Sequence, residues 1–194
     1  VEQMQKIEKA CTSEGICSDL LMERAGLEVA KAAYSALNGV AGKYIMVLIG
    51  PGNNGGDGLV TAYHLQKWGA KVTAYLTALR PTPDIKLAVC SNSGITICSA
   101  RNDENFIALD RELGRTNLVI DAVLGTGQNR VLEGTIREVL IKVSKARDLT
   151  QSLKIMSIDV PTGLDANSGA LDPTSPTVDY TIALSNPKIG LYQF

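Results

Sequence analysis

The sequence predicts an α/β protein with a mostly parallel sheet covered by helices on both faces. Short runs rich in Val, Ile and Tyr alternate with helix-length stretches, and parallel strands need crossovers, for which a helix is the favoured connection. The strand candidates are also close to continuously apolar, as in Ile45 to Ile49 and Leu118 to Leu124, which fits a sheet buried on both faces.

In chain order, Met4 to Cys11 and Asp19 to Leu37 read as helices. In the second, Leu21, Ala25, Val29, Ala33 and Leu37 form one stripe, with Ser18 in the N-cap position and Gly39 as the C-terminal stop. From residue 44 the β-α pattern begins. Strands are expected at Tyr44–Ile49, Lys71–Leu76, Ile95–Cys98, Leu118–Leu124, Lys154–Val160 and Tyr180–Leu184, bounded in many cases by turn formers. Helices are expected at Gly58–Trp68, Asp84–Ser91, Asn105–Leu113 and Ile136–Ala146. No repeat, low-complexity tract or linker divides the 194 residues, so one domain over residues 1–194 is expected.

Composition narrows the class of partner. Hydrophobic residues make up 45% and charged residues 20%, with a formal net charge of -1, so nothing calls for a nucleic-acid or membrane surface. The longest apolar run, Tyr44 to Ile49, falls far short of the roughly 20 residues that cross a bilayer. Residues 1–20 lack the charged-then-apolar pattern of a secretory signal, so a cytoplasmic location is expected, or a mitochondrial one if a native leader is missing. Cys11, Cys17, Cys90 and Cys98 form no C-x-x-C pair and have a single His for company. They read as reduced packing thiols, and a zinc or iron centre is not expected.

Ligands in such a sheet bind where strands end and loops lead into helices, near a topological switch point. Three segments follow strongly apolar strands: Gly50 to Gly58, Asp121 to Gly127, and Asp159 to Asp165. The first, GPGNNGGDG, carries five glycines in nine residues. They would permit positive φ and close approach of a ligand, and the next helix would offer unpaired N–H groups suited to phosphate. Gly50, Gly52 and Gly55 satisfy G-x-G-x-x-G. A redox dinucleotide site also expects an acidic residue about 20 positions further on, yet the first one after Asp57 is Asp84. A triphosphate loop needs Lys and then Ser or Thr after the last glycine, where Gly56 and Asp57 stand. What remains is Asn53-Asn54-Gly55-Gly56-Asp57, whose side-chain oxygens suit a sugar hydroxyl or a hard cation; the alternative is a surface turn.

Asp121 interrupts a buried strand, which is expensive for a charge unless it is paired or binds a cation. Asp159 falls at the end of another strand, where a carboxylate can take or give a proton, with a cap or turn role as the alternative; Thr162 offers a hydroxyl and a carbonyl to a cation. Arg130 is a phosphate contact or a solvated charge. Asp165, Asn167 and Gly169 read as turn residues, and His64 as a packed or surface helical residue rather than a base.

Taken together, LMERAG (21–26), GPGNNGGDGLV (50–60), VIDAVLGTG (119–127), SIDVPTGLDANSG (157–169) and PKIGL (187–191) resemble the NAD(P)H-hydrate epimerase family, also called the YjeF N-terminal domain family. The resemblance implies a three-layer α/β/α Rossmann-like sandwich, a homodimer, and interconversion of the R and S epimers of NADHX and NADPHX, nicotinamide cofactors hydrated at ring carbon 6. It implies that Asn53, Asn54, Gly55, Gly56, Asp57, Gly125, Thr126, Gly127, Gln128, Asn129, Arg130, Val131 and Asp159 bind substrate. It also implies that Asn54, Asp121 and Thr162 hold one potassium ion (K+) per subunit, and a functional link to an NAD(P)H-hydrate dehydratase. Asp159 is the expected catalytic residue. Thr162 stands where Ser is common in the family, which keeps the hydroxyl, and Asn129 stands where some members carry Lys. The chain stops at Phe194, before the glycine-rich closing segment of many members, so a shortened C terminus is expected. A non-catalytic dimerisation and RNA-binding scaffold of the same fold is the alternative reading.

Overall fold

The computed structural model describes residues 18–126 and 131–193. The helix expected at Met4 to Cys11, with Cys11 and Cys17, lies outside the described residues. The order is α1 (Ser18–Ala36), β1 (Tyr44–Ile49), α2 (Asn53–Lys67), β2 (Lys71–Leu76), α3 (Ile85–Asn92), β3 (Thr96–Ser99), α4 (Ile107–Leu113), β4 (Leu118–Ala122), α5 (Gly134–Leu149), β5 (Lys154–Ile158) and β6 (Tyr180–Ile182). The six strands form one sheet in the order β3-β2-β1-β4-β5-β6, and every pairing is parallel. The chain steps outward from β1 to β3, returns to the middle for β4, and steps outward again on the other side. The switch point therefore lies between β1 and β4, where Ile49 pairs with Ala122.

Period-2 alternation divides the core in two. Ile45, Val47 and Ile49 of β1 pack on one face with Val29 and Ala33 of α1 and Leu59, Ala62 and Leu65 of α2. Met46 and Leu48 face the other way, onto Leu109 and Leu113 of α4 and Val139, Leu140 and Val143 of α5. The result is the three-layer α/β/α sandwich. Among the described residues no helix is long and apolar enough to cross a membrane.

Several element ends differ from the sequence reading. β4 stops at Ala122 and β5 at Ile158, two residues early in each case, because Asp121 and Asp159 start turns there. α4 starts at Ile107 because Asn105 and Phe106 take left-handed φ of 54° and 58°. Asp103 caps the helix instead, accepting from Ala108 N and Leu109 N, and it also takes the buried Tyr75 hydroxyl. Cys90 is buried, donates to Leu59 O, and has its thiol pushed up to about 12 by burial; Cys98 is half-buried, and both are free thiols.

The largest difference concerns the glycine segment. α2 starts at Asn53, five residues before the expected Gly58, so Asn53 to Gly58 is helix and not loop. None of Gly50, Gly52, Gly55, Gly56 and Gly58 has positive φ. Three of them, Gly50, Gly55 and Gly58, are required for space, and Gly56 lies against the flexible end of Met22. A Cβ at Gly50 would lie 1.8 Å from Val123 O, one at Gly55 2.1 Å from Gly50 O, one at Gly56 2.6 Å from Met22 Sδ, and one at Gly58 2.5 Å from Ala122 Cβ. Glycine weakens a helix by about 1 kcal/mol relative to Ala, and here close tertiary approach overrides that preference.

The sign of one substitution follows. Gly58→Ala gains about 1 kcal/mol of helix propensity but sets a methyl against the fixed Cβ of Ala122, an overpacking that costs about 1–3 kcal/mol. We expect net destabilisation in urea unfolding, and a raised midpoint would contradict the packing account.

Candidate active site

The ends of β1, β4 and β5 are adjacent in the sheet, so the three segments singled out in the sequence meet at its C-terminal edge. The α2 N-terminus follows β1 with Gly52 as N-cap and no side-chain cap, which leaves the N–H groups of its first turn without intrahelical acceptors. Arg80 holds the approach to it. Its Nη1 donates to the carbonyls of Gly50 and Gly52, and its Nε donates to Asp84 Oδ2 at 2.6 Å.

Asp121 is 1% exposed. Its Oδ1 accepts from the Thr162 hydroxyl at 2.7 Å and from Val123 N at 3.1 Å, and its Oδ2 accepts from Thr162 N at 2.8 Å. Burial pushes this carboxyl above the usual carboxylate range, against the opposing effect of the three donors. A carboxylate offers about four acceptor positions, so one is left over. The Thr162 hydroxyl also accepts from Leu124 N at 3.0 Å, and the Thr162 carbonyl accepts from Ser175 Oγ at 2.6 Å. One buried acid thus ties the β4 loop to the β5 loop.

Asn54 lies in the first turn of α2, 9% exposed, and neither its Oδ1 nor its Nδ2 has a hydrogen-bond partner among the described residues. A buried amide left unpaired is costly, so its atoms are suited to a ligand. The amide faces Gly125: a side chain added there would lie 3.6 Å from Asn54 Cγ and 3.2 Å from Asp159 Oδ2.

Asp159 is the centre of a three-residue turn closed by Val160 N–H to Ile158 C=O at 2.9 Å, with φ of 70°. This left-handed γ-turn is rare and strained for a residue with a side chain. Its carboxylate is fixed from two sides, by the Lys188 ammonium on Oδ1 and by Thr126 N on Oδ2 at 3.3 Å.

The structure therefore brings together Asn54, Gly125, Thr126 and Asp159, with Asp121 and Thr162 joined to them through Leu124 and Gly125. Gly55 and Gly56 are buried in the first turns of α2, Asp57 is buried in the same helix, and Asn53 is exposed at its start. Val131 is exposed, while Leu132 N is held by Asp172 Oδ2 at 3.0 Å. Gly127, Gln128, Asn129 and Arg130 lie outside the described residues. His64 pairs with Glu23 of α1 at 2.8 Å and packs near Trp68, a structural role, and Asp165 accepts turn bonds from Asn167 N and Ser168 N.

The donor set at Asn54, Asp121 and Thr162 is all oxygen: an amide, a carboxylate, and a hydroxyl or carbonyl. That chemistry fits a hard cation. Among the described residues no cluster of three or more His, Cys, Asp or Glu could hold a metal ion, so a cation here would rest on the Asp121 carboxylate with amide, hydroxyl and carbonyl oxygens.

Residues 18–190 match the family described as YjeF-related protein N-terminus. The chain belongs to that family. It is 33% identical over 188 residues to the bifunctional NAD(P)H-hydrate repair enzyme Nnr of Thermofilum pendens, covering 94% of this chain and 34% of that protein. It is 28% identical over 207 residues to the NAD(P)H-hydrate epimerase of Nitrosopumilus maritimus, covering 98% of this chain and 86% of that one. The chain spans about a third of the length of the bifunctional relatives it matches. The crystal structure of yeast ynu0, YNL200c, matches with a TM-score of 0.85 at 25% identity, over 98% of this chain and 81% of that chain.

In this YjeF N-terminal domain, sequence reasoning missed Arg80, Asp172, Ser175 and Lys188. Lys188 alone left a signal: it stands in the PKIGL stretch (187–191), which carries no assigned role in the sequence reading, and is the single charge between Ala183 and Leu191.

Thr162→Val keeps the shape and removes the hydroxyl, leaving Asp121 Oδ1 and Leu124 N each short of a partner. We expect a loss of about 1–3 kcal/mol in chemical unfolding, with Thr162→Ser within about 1 kcal/mol of the parent. Equal losses in the two variants would count against the hydroxyl.

Proposed function

We propose that this chain is an NAD(P)H-hydrate epimerase, interconverting the R and S epimers of NADHX and NADPHX. The observation that carries the reading is the unpaired, buried Asn54 amide at a helix N-terminus, facing the Gly125 backbone with Asp159 beside it. A helix N-terminus suits the diphosphate of a dinucleotide, and amide and carboxylate groups suit its ribose and hydrated ring. The names of the relatives support the same reading, as does the epimerase match over most of the length of that relative.

The reaction moves a hydroxyl from one face of a ring carbon to the other. The ring nitrogen lone pair expels the hydroxyl, and water adds back from the opposite face. A base must take a proton from that water, and an acid must give one to the departing oxygen. Asp159 is the base in this proposal, because its carboxylate is held by Lys188 and Thr126 at the C-terminal edge of the sheet and lies beside Gly125 and the Asn54 amide. Asn54, Asp121 and Thr162 would hold one potassium ion, which supplies positive charge beside the diphosphate when bound. The same reading includes a homodimer, a cytoplasmic location, and action alongside an NAD(P)H-hydrate dehydratase.

Mixed with an S-selective dehydratase and racemic NADHX, the chain should consume the R epimer faster than spontaneous conversion allows. Asp159→Asn should lower kcat by about 100-fold or more with little change in KM. No acceleration by the parent chain would sink the epimerase reading, and parental turnover in the Asn variant would remove Asp159 as base.

Potassium can be tested without turnover. In potassium chloride the melting temperature should exceed that in choline chloride of equal ionic strength, by the equivalent of about 2.7 kcal/mol at one hundred times Kd. Asn54→Ala should abolish the difference; a difference that survives in the variant places the ion elsewhere.

A further inference from the structure

The epimerisation also needs an acid for the departing oxygen. Lys188 follows β6, and its side chain is only 7% exposed. An ammonium so enclosed needs partners for all three of its N–H groups. One goes to Asp159 Oδ1 and one to Leu184 O at 2.7 Å; the third has no acceptor among the described residues. Its backbone is fixed as well. Gly190 N donates to Ala166 O at 2.8 Å, and a Cβ at Gly190 would lie 2.3 Å from Asp165 O, so the segment is pressed onto the turn that follows β5. A buried cation in a rigid seat, bonded to the proposed base and with one donor to spare, is placed to serve the same reacting atoms.

We propose that Lys188 is the acid of this reaction, which rests on the epimerase reading. The ammonium gives a proton to the hydroxyl oxygen as the carbon–oxygen bond breaks, and that oxygen leaves as water. The ring nitrogen lone pair becomes the second bond of a C=N+ group. Water then attacks the carbon from the other face, the electrons return to nitrogen, and Asp159 takes the proton from the attacking water. That proton passes along the existing Asp159–Lys188 hydrogen bond to the neutral amine. The pair ends as it started, with no net proton gained or lost and no oxidant required. The arrangement also accounts for the strained turn at Asp159, which keeps its carboxylate on the Lys188 side.

The test is Lys188→Arg, which keeps the positive charge and the donors but cannot release a proton. We expect kcat to fall by about 100-fold or more with KM within about threefold. An Arg variant that retains the parental kcat overturns the proposal, since charge alone would then suffice. Lys188→Ala provides a second reading. Added ethylamine should restore its rate in proportion to concentration, whereas tetramethylammonium, which carries no proton to give, should not. Equal rescue by both cations, or rescue by neither in a folded variant, also overturns it. A parent chain that fails to epimerise defeats the functional reading itself, a different outcome from a parent that epimerises and variants that keep pace with it.

Discussion

Asp121 joins two loops that the sheet alone would leave independent. The loops after β4 and β5 start side by side, but parallel pairing ends at Asp121 and Ser157, and beyond that point only side chains can set their spacing. The carboxylate accepts both the amide and the hydroxyl of Thr162 and also Val123 N. With those bonds in place Leu124 is drawn to Thr162, Gly125 comes to face Asn54, and Thr126 reaches Asp159. A charge buried to this degree opposes folding unless its partners are complete, so these loops are ordered together or not at all.

A second constraint acts from the β1 side. The start of α2 touches the β1 turn, the end of β4 and Met22 of α1 through positions where hydrogen replaces a side chain. Thr61 closes the same contact from within, with its hydroxyl 2.8 Å from Asp57 O and 3.1 Å from Gly26 O. The close packing of α1 on α2, with Gly26 against Val60, sets how deep the helix start sits over the sheet. Depth decides how close the first-turn N–H groups and the Asn54 amide come to Gly125 and Asp159.

The sequence disclosed most of the frame and less of the site. β1 and β2 were legible to the residue, because Gly50 and Gly69 punctuate runs whose composition has no helical alternative. The apolar run predicts a longer β4 than the Leu118–Ala122 observed, since Val123 and Leu124 are as apolar as the strand and only their hydrogen bonding shows that the chain has turned. The glycines are legible as important but for a reason the structure reverses: their steric demand comes from the protein itself, and the close approach of Gly50 to Val123, 73 positions away (123 − 50), leaves no local mark. Asp121 and Asp159 stood out because a charge in an apolar run is a local anomaly. Lys188 and Arg80 act on partners 29 and 28–30 residues away, and a lone basic residue gives no hint of such a partner.

The glycine-built start of α2 also limits how this protein can be improved. Its first turns are the part of the helix with the least intrinsic tendency to be helical, and they owe their order to the surfaces pressed against them. Replacing glycine by a better helix former is a standard route to a more robust protein, and at Gly55 and Gly58 that route is closed by collision. A more heat-resistant form of this chain has to find its gains elsewhere, for example on the outer faces of α1 or α5. The first turns of α2 therefore keep their low intrinsic helix propensity, however stable the rest becomes.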